Sequence, residues 1–254
     1  MNILFTVCGR AGSKGVKNKN LKTFLGEPLV YYTMSSIDLF IKRNKGKYNM
    51  DVSVNTDDEN LIKLAEETNL NVISIKRDPN LAEDDTPKVS VIRDALDKCE
   101  NKNNYQYDVI VDLDITSPLR TVVDIENAVE KKINKDFDMV FSVVESRRNP
   151  YFNMVKEKDG IITGVIDSNY TARQQAPKIY DMNASIYAYS RNYLMDNVEK
   201  GFFDAKIGIT SMLETGILDI DSEMDFELMQ VVAEYLFNTN EEMKKVKDNI
   251  RNIY

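Results

Sequence analysis

Histidine is absent from all 254 residues. That absence removes Ser-His-Asp triads, Cys-His nucleophiles, histidine metal sites and histidine acid–base chemistry. Asp, Glu, Lys, Arg, Tyr and hard metals remain. Cysteine is scarce: Cys8 and Cys99 are the only two, and neither has a metal-ligand spacing. Such a pair in a cytosolic chain reads as two buried thiols, not a disulfide. No apolar run approaches the ~20 residues a membrane helix needs. The chain opens directly on a strand-like run with no room for a signal peptide, so the cytoplasm is the expected compartment. Positive charge is in deficit, with a net charge of −8, which argues against nucleic acid or an anionic membrane as partner. An anionic ligand would need a local cationic site.

The rest of the composition is that of a soluble globular protein, 43% hydrophobic and 29% charged. The length suits one large α/β domain, or one with a small insertion. A local cationic site is present at the outset. The apolar run Ile3 to Val7 reads as a buried strand. Behind it come Gly9, Arg10, Gly12, Ser13, Lys14, Gly15, Lys17, Asn18, Lys19 and Asn20. Glycines allow sharp turns and close backbone approach, and successive N–H groups form an anion-binding nest reinforced by Arg and Lys. The loop has neither the P-loop order nor the dinucleotide G-x-G-x-x-G. It reads as a phosphate cradle or, more plainly, as a solvated basic loop.

Downstream, helix and strand patterns alternate. A helix is expected from Glu27-Pro28 to about Ile41, a strand at Val52 to Asn55, and a helix capped by Thr56-Asp57. A strand at Asn71 to Ile75 precedes a polar loop from Arg77 to Thr86, and Pro87 opens the next helix. Val109 to Leu113 reads as a central strand, Val122 to Ile133 as a helix and Met139 to Val144 as another strand. This order predicts a parallel sheet with helices on both faces. The pleat puts Asp112 and Asp114 on one face, where a buried carboxylate needs a partner or a metal. Asp114 alternatively caps the turn Thr116-Ser117-Pro118-Leu119-Arg120.

The alternation breaks between Glu145 and about Asn183, with strand-like pieces at Tyr151 to Val155 and Gly160 to Ile166. This stretch reads as an inserted subdomain too small for its own core, whose Tyr151, Phe152, Ile161 and Ile162 must pack on the parent domain or on another subunit. Ala184 to Tyr189 returns to strand. In Asp219-Ile220-Asp221 the carboxylates share one face of an extended segment. They suit Mg²⁺, which completes its shell with substrate phosphate and water, or they simply solvate a turn. Ser222 with Asp225 reads as a capping box for a last core helix carrying Phe226, Met229, Ala233 and Leu236. Asn238 to Tyr254 is polar and reads as peripheral.

Taken in order, Ala11-Gly12-Ser13-Lys14-Gly15 with Lys19-Asn20, Thr116-Ser117-Pro118-Leu119-Arg120, Arg173-Gln174-Gln175-Ala176-Pro177, Asn183-Ala184-Ser185-Ile186-Tyr187 and Asp219-Ile220-Asp221 resemble the CMP-sialic acid synthetases, the acylneuraminate cytidylyltransferases. The resemblance runs from about Met1 to Phe237. Asp112-Leu113-Asp114, Arg147 to Asn153 and Tyr180 to Tyr187 look like the CMP-legionaminic acid synthetase branch, which serves bacterial surface glycans and flagellin modification. The resemblance implies a three-layer Rossmann-like nucleotidyltransferase fold with a mostly parallel sheet. It implies a core of 1–144 and 184–238, an inserted dimerisation subdomain at 145–183, and a peripheral tail at 239–254.

It also implies a reaction. The anomeric hydroxyl of a nine-carbon nonulosonic acid attacks the α-phosphorus of CTP, releasing pyrophosphate. Arg10, Gly12, Ser13, Lys14, Lys19, Asn20, Arg77 and Asp114 would hold the nucleotide, with Arg10 and Lys19 also counted as catalytic and the Asp84-Asp85-Thr86-Pro87-Lys88 neighbourhood bordering the base or ribose. Asp219 and Asp221 would hold Mg²⁺, and with no histidine a carboxylate or the metal is the natural base. Thr116, Ser117, Gln175 and Asn183 would hold the sugar. Arg173 would reach the substrate carboxylate across a homodimer interface made by the insert. Asp114 stands where the sialic acid branch usually has glutamine. An aspartate there would be repelled by phosphate or carboxylate, and suits a sugar hydroxyl or amide, the cytosine amino group or the metal's vicinity. N-acetylneuraminate and Kdo cytidylyltransferases, the latter sharing fold and chemistry but opposed by the Asp112-Leu113-Asp114 and Asn183 motifs, are the alternatives; a non-catalytic nucleotide-binding module is the alternative of another class.

Overall fold

The computed structural model describes every residue except 13–15, 17, 84, 197–200 and 218, together with the side chains of 216 and 217. Its elements in chain order begin β1 (Asn2–Cys8), β2 (Thr23–Phe24), β3 (Glu27–Pro28), α1 (Leu29–Arg43), β4 (Asn49–Thr56), α2 (Glu59–Glu66) and β5 (Val72–Lys76). Next come α3 (Lys88–Asn103), β6 (Val109–Leu113), α4 (Val122–Asn134) and β7 (Met139–Glu145). The hairpin β8 (Val155–Lys158) and β9 (Ile161–Gly164) follows, then β10 (Tyr180–Ser190), α5 (Arg191–Asp196), β11 (Ile207–Ser211), α6 (Glu223–Thr239) and α7 (Glu241–Asn249).

Among the described residues one seven-stranded sheet has the order β11-β7-β10-β6-β1-β4-β5. All its pairings are parallel except those of β10, which runs antiparallel to both β6 and β7. The fold is therefore α/β with a mostly parallel sheet covered on both faces, as the alternating sequence pattern requires. Strand pleating sorts the core. Ile3, Phe5 and Val7 of β1, with Val109, Val111 and Leu113 of β6, face one cluster with α1, α4, α6 and α7 residues. Leu4 and Ile110 face the other, with Ile92, Leu96 and Cys99 of α3. Thr6, Cys8 and Asp112 follow the parity of Leu4 and Ile110, so polar side chains end up under the start of α3.

Several expectations are corrected. The tail 239–254 is not peripheral: Met243, Val246, Ile250 and Ile253 are buried in the first core cluster. Their spacing puts one apolar edge on an otherwise charged helix, and Asn249 bonds Asp38 of α1 at 2.7 Å. The strand expected at Tyr151 to Val155 instead begins at Val155. Tyr151 to Asn153 form a turn whose backbone is held by Asn149. β11 pairs as an edge strand with β7, and α5 follows β10 directly; neither was expected. Asp58, not Asp57, caps α2 by accepting from the Asn60 N–H at 2.9 Å.

The insert keeps its apolar side chains outside. Every residue of β8 and β9 is exposed, and Val155, Ile161 and Ile162 are more than half exposed. Of the two sequence-based options for these residues, packing on the parent domain is not what this chain does.

Because α7 closes the core beneath α1, Ile250→Ala is expected to cost about 2–4 kcal/mol of stability through transfer and cavity terms. Urea unfolding measures it, and a change within about 0.5 kcal/mol, the usual scale of surface substitutions, would return the segment to the periphery.

Candidate active site

Parallel strands deliver their carboxyl ends to one edge, where ligands collect in open α/β sheets. β1 ends there in Cys8 and runs into Gly9 and Arg10. A Cβ on Gly9 would meet Leu61 Cδ2 at 2.4 Å and crowd Asn20 and Ile115, so a larger residue here would have to push neighbouring side chains aside. Gly12 has φ +76°, the left-handed region. Asp57, freed from capping, accepts from the Ala11 N–H at 2.9 Å and pins the loop to the end of β4. Asn20 donates to the Arg10 carbonyl at 3.2 Å, closing the loop on itself.

Lys19 then joins the two ends of the chain. Its Nζ donates to the Ile220 carbonyl at 2.7 Å and lies 3.6 Å from Asp221 Oδ1. The result is a cleft of about 450 Å³ lined by Arg10, Lys19, Asn20, Arg77, Asp114, Thr116, Asp219 and Asp221, with Cys8, Glu83, Thr86 and Lys88 between them. Eight of the residues singled out from sequence are thus brought together. Ser13 and Lys14 lie outside the described residues.

Arg77 is buried, with Nε 3.0 Å from Asn55 Oδ1 and Nη2 2.7 Å from the Asn55 carbonyl. Burial lowers its pKa from the usual arginine value, against the pull of nearby acids such as Asp57. At the cleft floor, Lys88 Nζ lies 2.8 Å from both Asp112 Oδ2 and Asp114 Oδ2. Burial pushes the Lys88 ammonium down, but Asp112 and Asp114 outweigh it and hold it well above the ordinary lysine value. Burial likewise pushes Asp114 up, and Lys88 and Thr116 overcome it, holding this carboxyl well below its usual range. Lys88 follows Pro87 at the start of α3, so the helix start aims the ammonium at the strand end. Lys88, expected beside the base or ribose, does line the cleft, and it is also the partner of the two acids, a pairing signalled only by a lone lysine at a helix start above them.

Asp219 is raised above the ordinary aspartate value by burial, with Thr116 hydrogen bonding opposing and the charge of Asp114 adding to the rise. One of its oxygens accepts from the Ile220 N–H at 2.8 Å. Asp221 is largely exposed. Among the described residues no group of three or more Cys, His, Asp or Glu is arranged around a metal position. Two carboxylates fit a hard cation that draws the rest of its shell from phosphate and water.

The residues assigned to the sugar are scattered. Thr116 lines the cleft, whereas Ser117 is buried behind it. Arg120, fully buried, donates to the Ser117 carbonyl at 2.7 Å and to the Asp114 carbonyl, and burial brings it down to about 10. It staples the turn. Asn183 is also buried, accepting from Ser142 Oγ at 2.6 Å beside the left-handed Ala184 of a β10 irregularity. Gln175 accepts from the Thr171 N–H at 3.0 Å within its own loop. Arg173 donates to the Ser146 carbonyl at 2.8 Å and borders separate concavities at the base of the insert. A larger concavity of about 720 Å³ lies there too, lined by Glu145, Arg147, Arg148, Asp181 and Glu214, and none of the cleft cations reaches it.

Comparison with known proteins now decides the family. The family described as cytidylyltransferase matches residues 4–234. The chain belongs to the cytidylyltransferase family. It is 37% identical over 228 residues to the CMP-N,N'-diacetyllegionaminic acid synthase of Campylobacter jejuni, covering 90% of this chain and 93% of that protein. The same identity and coverage hold for the post-translational flagellin modification protein B of Campylobacter coli. The solved structure of CMP:2-keto-3-deoxy-manno-octonic acid synthetase complexed with CTP superposes with a TM-score of 0.66 at 13% identity, covering 92% of this chain and 99% of that one. At that identity the superposition speaks for the fold alone. This cytidylyltransferase is a nucleotidyltransferase enzyme, and among its described residues no helix is long and apolar enough to cross a membrane.

The floor charges set a pH dependence. Asp114, with a depressed folded pKa, contributes stability that is complete above the ordinary value of about 3.9 and lost as pH falls below it. Asp114→Asn is expected to cost about 2 kcal/mol at neutral pH, less than a fully buried pair because the site is partly open. It should also flatten the acid fall in stability. Urea midpoints across the acid range check both, and an unchanged acid slope would contradict the pairing.

Proposed function

We propose that the cleft transfers a cytidylyl group from CTP to a nine-carbon nonulosonic acid, legionaminic acid or a derivative, giving CMP-sugar and pyrophosphate for surface glycan or flagellin glycosylation. The observation that carries this reading is the joining of the basic glycine-rich loop to Asp219-Ile220-Asp221 through Lys19. Phosphate binding and acid chemistry meet in one cleft, and the identity to the Campylobacter jejuni synthase supplies the substrate class.

Arg10, Lys19 and the loop backbone, with Gly12, Ser13, Lys14 and Asn20, cradle the triphosphate and draw charge toward the departing pyrophosphate. Arg77 borders the nucleoside from its seat on Asn55. The sugar's anomeric oxygen lines up with the α-phosphorus, so that most of the rate comes from positioning. One of the carboxylates Asp219 and Asp221, both in the cleft lining, takes the proton leaving that hydroxyl. Asp219 and Asp221 would hold Mg²⁺, which when bound supplies charge neutralisation at the phosphates.

Thr116 meets the sugar from within the cleft. Ser117, Asn183 and Gln175, which lie outside the cleft lining, complete the sugar's surroundings. A homodimer through 145–183, supported by the exposed Val155, Ile161 and Ile162, would bring Arg173 of one protomer to the substrate carboxylate in its partner's cleft. The chain would then work in the cytoplasm, where CTP is available. N-acetylneuraminate or Kdo is the second reading of the substrate.

Pyrophosphate release from CTP with Mg²⁺ and a panel of nonulosonic acids and Kdo tests the proposal. Release is expected with legionaminic acids above the others. No release with any sugar would overturn it, and release with Kdo alone would move it to the second reading. Asp219→Asn is expected to lower turnover roughly 10²-fold or more. Asp221→Asn is expected to raise the Mg²⁺ concentration required; near-normal behaviour would remove that residue from the metal site.

A further inference from the structure

β6 and the turn after it present two carboxylates to one ammonium. Lys88 Nζ is 2.8 Å from an oxygen of Asp112 and 2.8 Å from an oxygen of Asp114. The other oxygens are also committed. Asp112 Oδ1 accepts from the Thr6 hydroxyl at 2.8 Å. Asp114 Oδ1 accepts from the Thr116 N–H at 3.0 Å and from its hydroxyl at 2.8 Å. Two carboxylate oxygens converging on one point, each braced from behind, is an arrangement a hard divalent cation also accepts. Here the chain's own side chain fills it.

The location gives this arrangement a consequence. Thr116 interacts with Asp114 and with Asp219, and the Asp114 charge is felt at Asp219. Asp114, Asp219 and Asp221 all line the same cleft. A cation entering without nucleotide could choose among them. Asp112 has no exposed side-chain surface, so its charge would be unmatched without a cation at this point.

We propose that Lys88 is a built-in cation of the cleft, a positioning residue that ties Asp112 to Asp114 and keeps both from competing with Asp219 and Asp221 for the divalent ion. The proposal rests on the cytidylyltransfer reading for the metal at Asp219 and Asp221. The pairing around Lys88 does not depend on it. Loss of the ammonium leaves convergent carboxylates that seat an ion in the wrong place, before any nucleotide arrives.

The experiment is Mn²⁺ binding to the full chain without nucleotide, by calorimetry and electron paramagnetic resonance. Lys88→Ala is expected to bind one Mn²⁺ more than the wild type, at least tenfold more tightly than any wild-type site, and to gain thermal stability from Mn²⁺. Adding Asp112→Asn should abolish the extra ion, and Lys88→Arg should match the wild type. Wild-type Mn²⁺ stoichiometry and affinity in Lys88→Ala would overturn the proposal, as would an extra ion indifferent to Asp112→Asn. If Lys88→Ala does not fold in metal-free buffer, Lys88→Gln, which keeps a hydrogen-bond donor without the charge, is read in the same way. Pyrophosphate release by the wild type is followed alongside. Its absence removes the cytidylyltransfer reading and leaves the Mn²⁺ result to judge Lys88 alone.

Discussion

Lys19 holds the first loop of this protein to Asp219-Ile220-Asp221. The bond from its ammonium to the Ile220 carbonyl spans 201 residues of sequence, and without it the glycine-rich loop and the two aspartates would be neighbours only by accident of packing. Everything that makes the cleft a place for chemistry follows from that contact. The loop brings cations and backbone N–H groups, the segment brings carboxylates, and neither set alone could both hold a triphosphate and accept a proton. The supports lie behind it: Asp57 on the Ala11 N–H, Asn20 on the Arg10 carbonyl, and Arg77 on Asn55.

The sheet explains why these supports can be rigid. β1 and β6 lie side by side in parallel register, Thr6 opposite Asp112, and their pleats send apolar residues to the α1, α4, α6 and α7 side. The opposite parity carries Thr6 and Asp112 beneath the start of α3, where Lys88 arrives. A buried charge is tolerated because its partners come from three elements already fixed by the core. Arg120 serves the same end differently, donating from its buried guanidinium to the Ser117 and Asp114 carbonyls.

Much of this was legible in the chain itself. Pro28, Pro87 and Ser222 marked helix starts, and the apolar run Val109 to Leu113 matched the central strand. The parity argument for Asp112 and Asp114 needed only a pleat. What could not be read were relations between distant elements. Nothing local told that Asp57 would serve the loop while Asp58 capped the helix, since two adjacent acids look alike. α7 was hidden because Met243 and Val246, with Ile250 just past its end, stand among so many charges that the segment reads as solvated. β11 is an edge strand with an alternating burial pattern, and its partner β7 lies more than 60 residues earlier. Lys88 was visible as a neighbour of the nucleotide, but not as the partner of Asp112 and Asp114. For the residues expected at the sugar, the motifs were recognisable while their placement was not: Ser117 and Asn183 are buried, and Arg173 lies at the base of the insert, outside the cleft lining.

The central claim is that one cleft passes the cytidylyl group directly from CTP to the sugar hydroxyl. CTP labelled in its α-phosphate, supplied with Mg²⁺ and a legionaminic acid carrying ¹⁸O at the anomeric hydroxyl, tests it in one measurement. Direct transfer predicts the label in CMP-sugar, with the ¹⁸O retained in the bridge between sugar and phosphorus and no label left on the protein. Label released as free CMP, a labelled protein intermediate, or loss of ¹⁸O from the bridge would contradict the account.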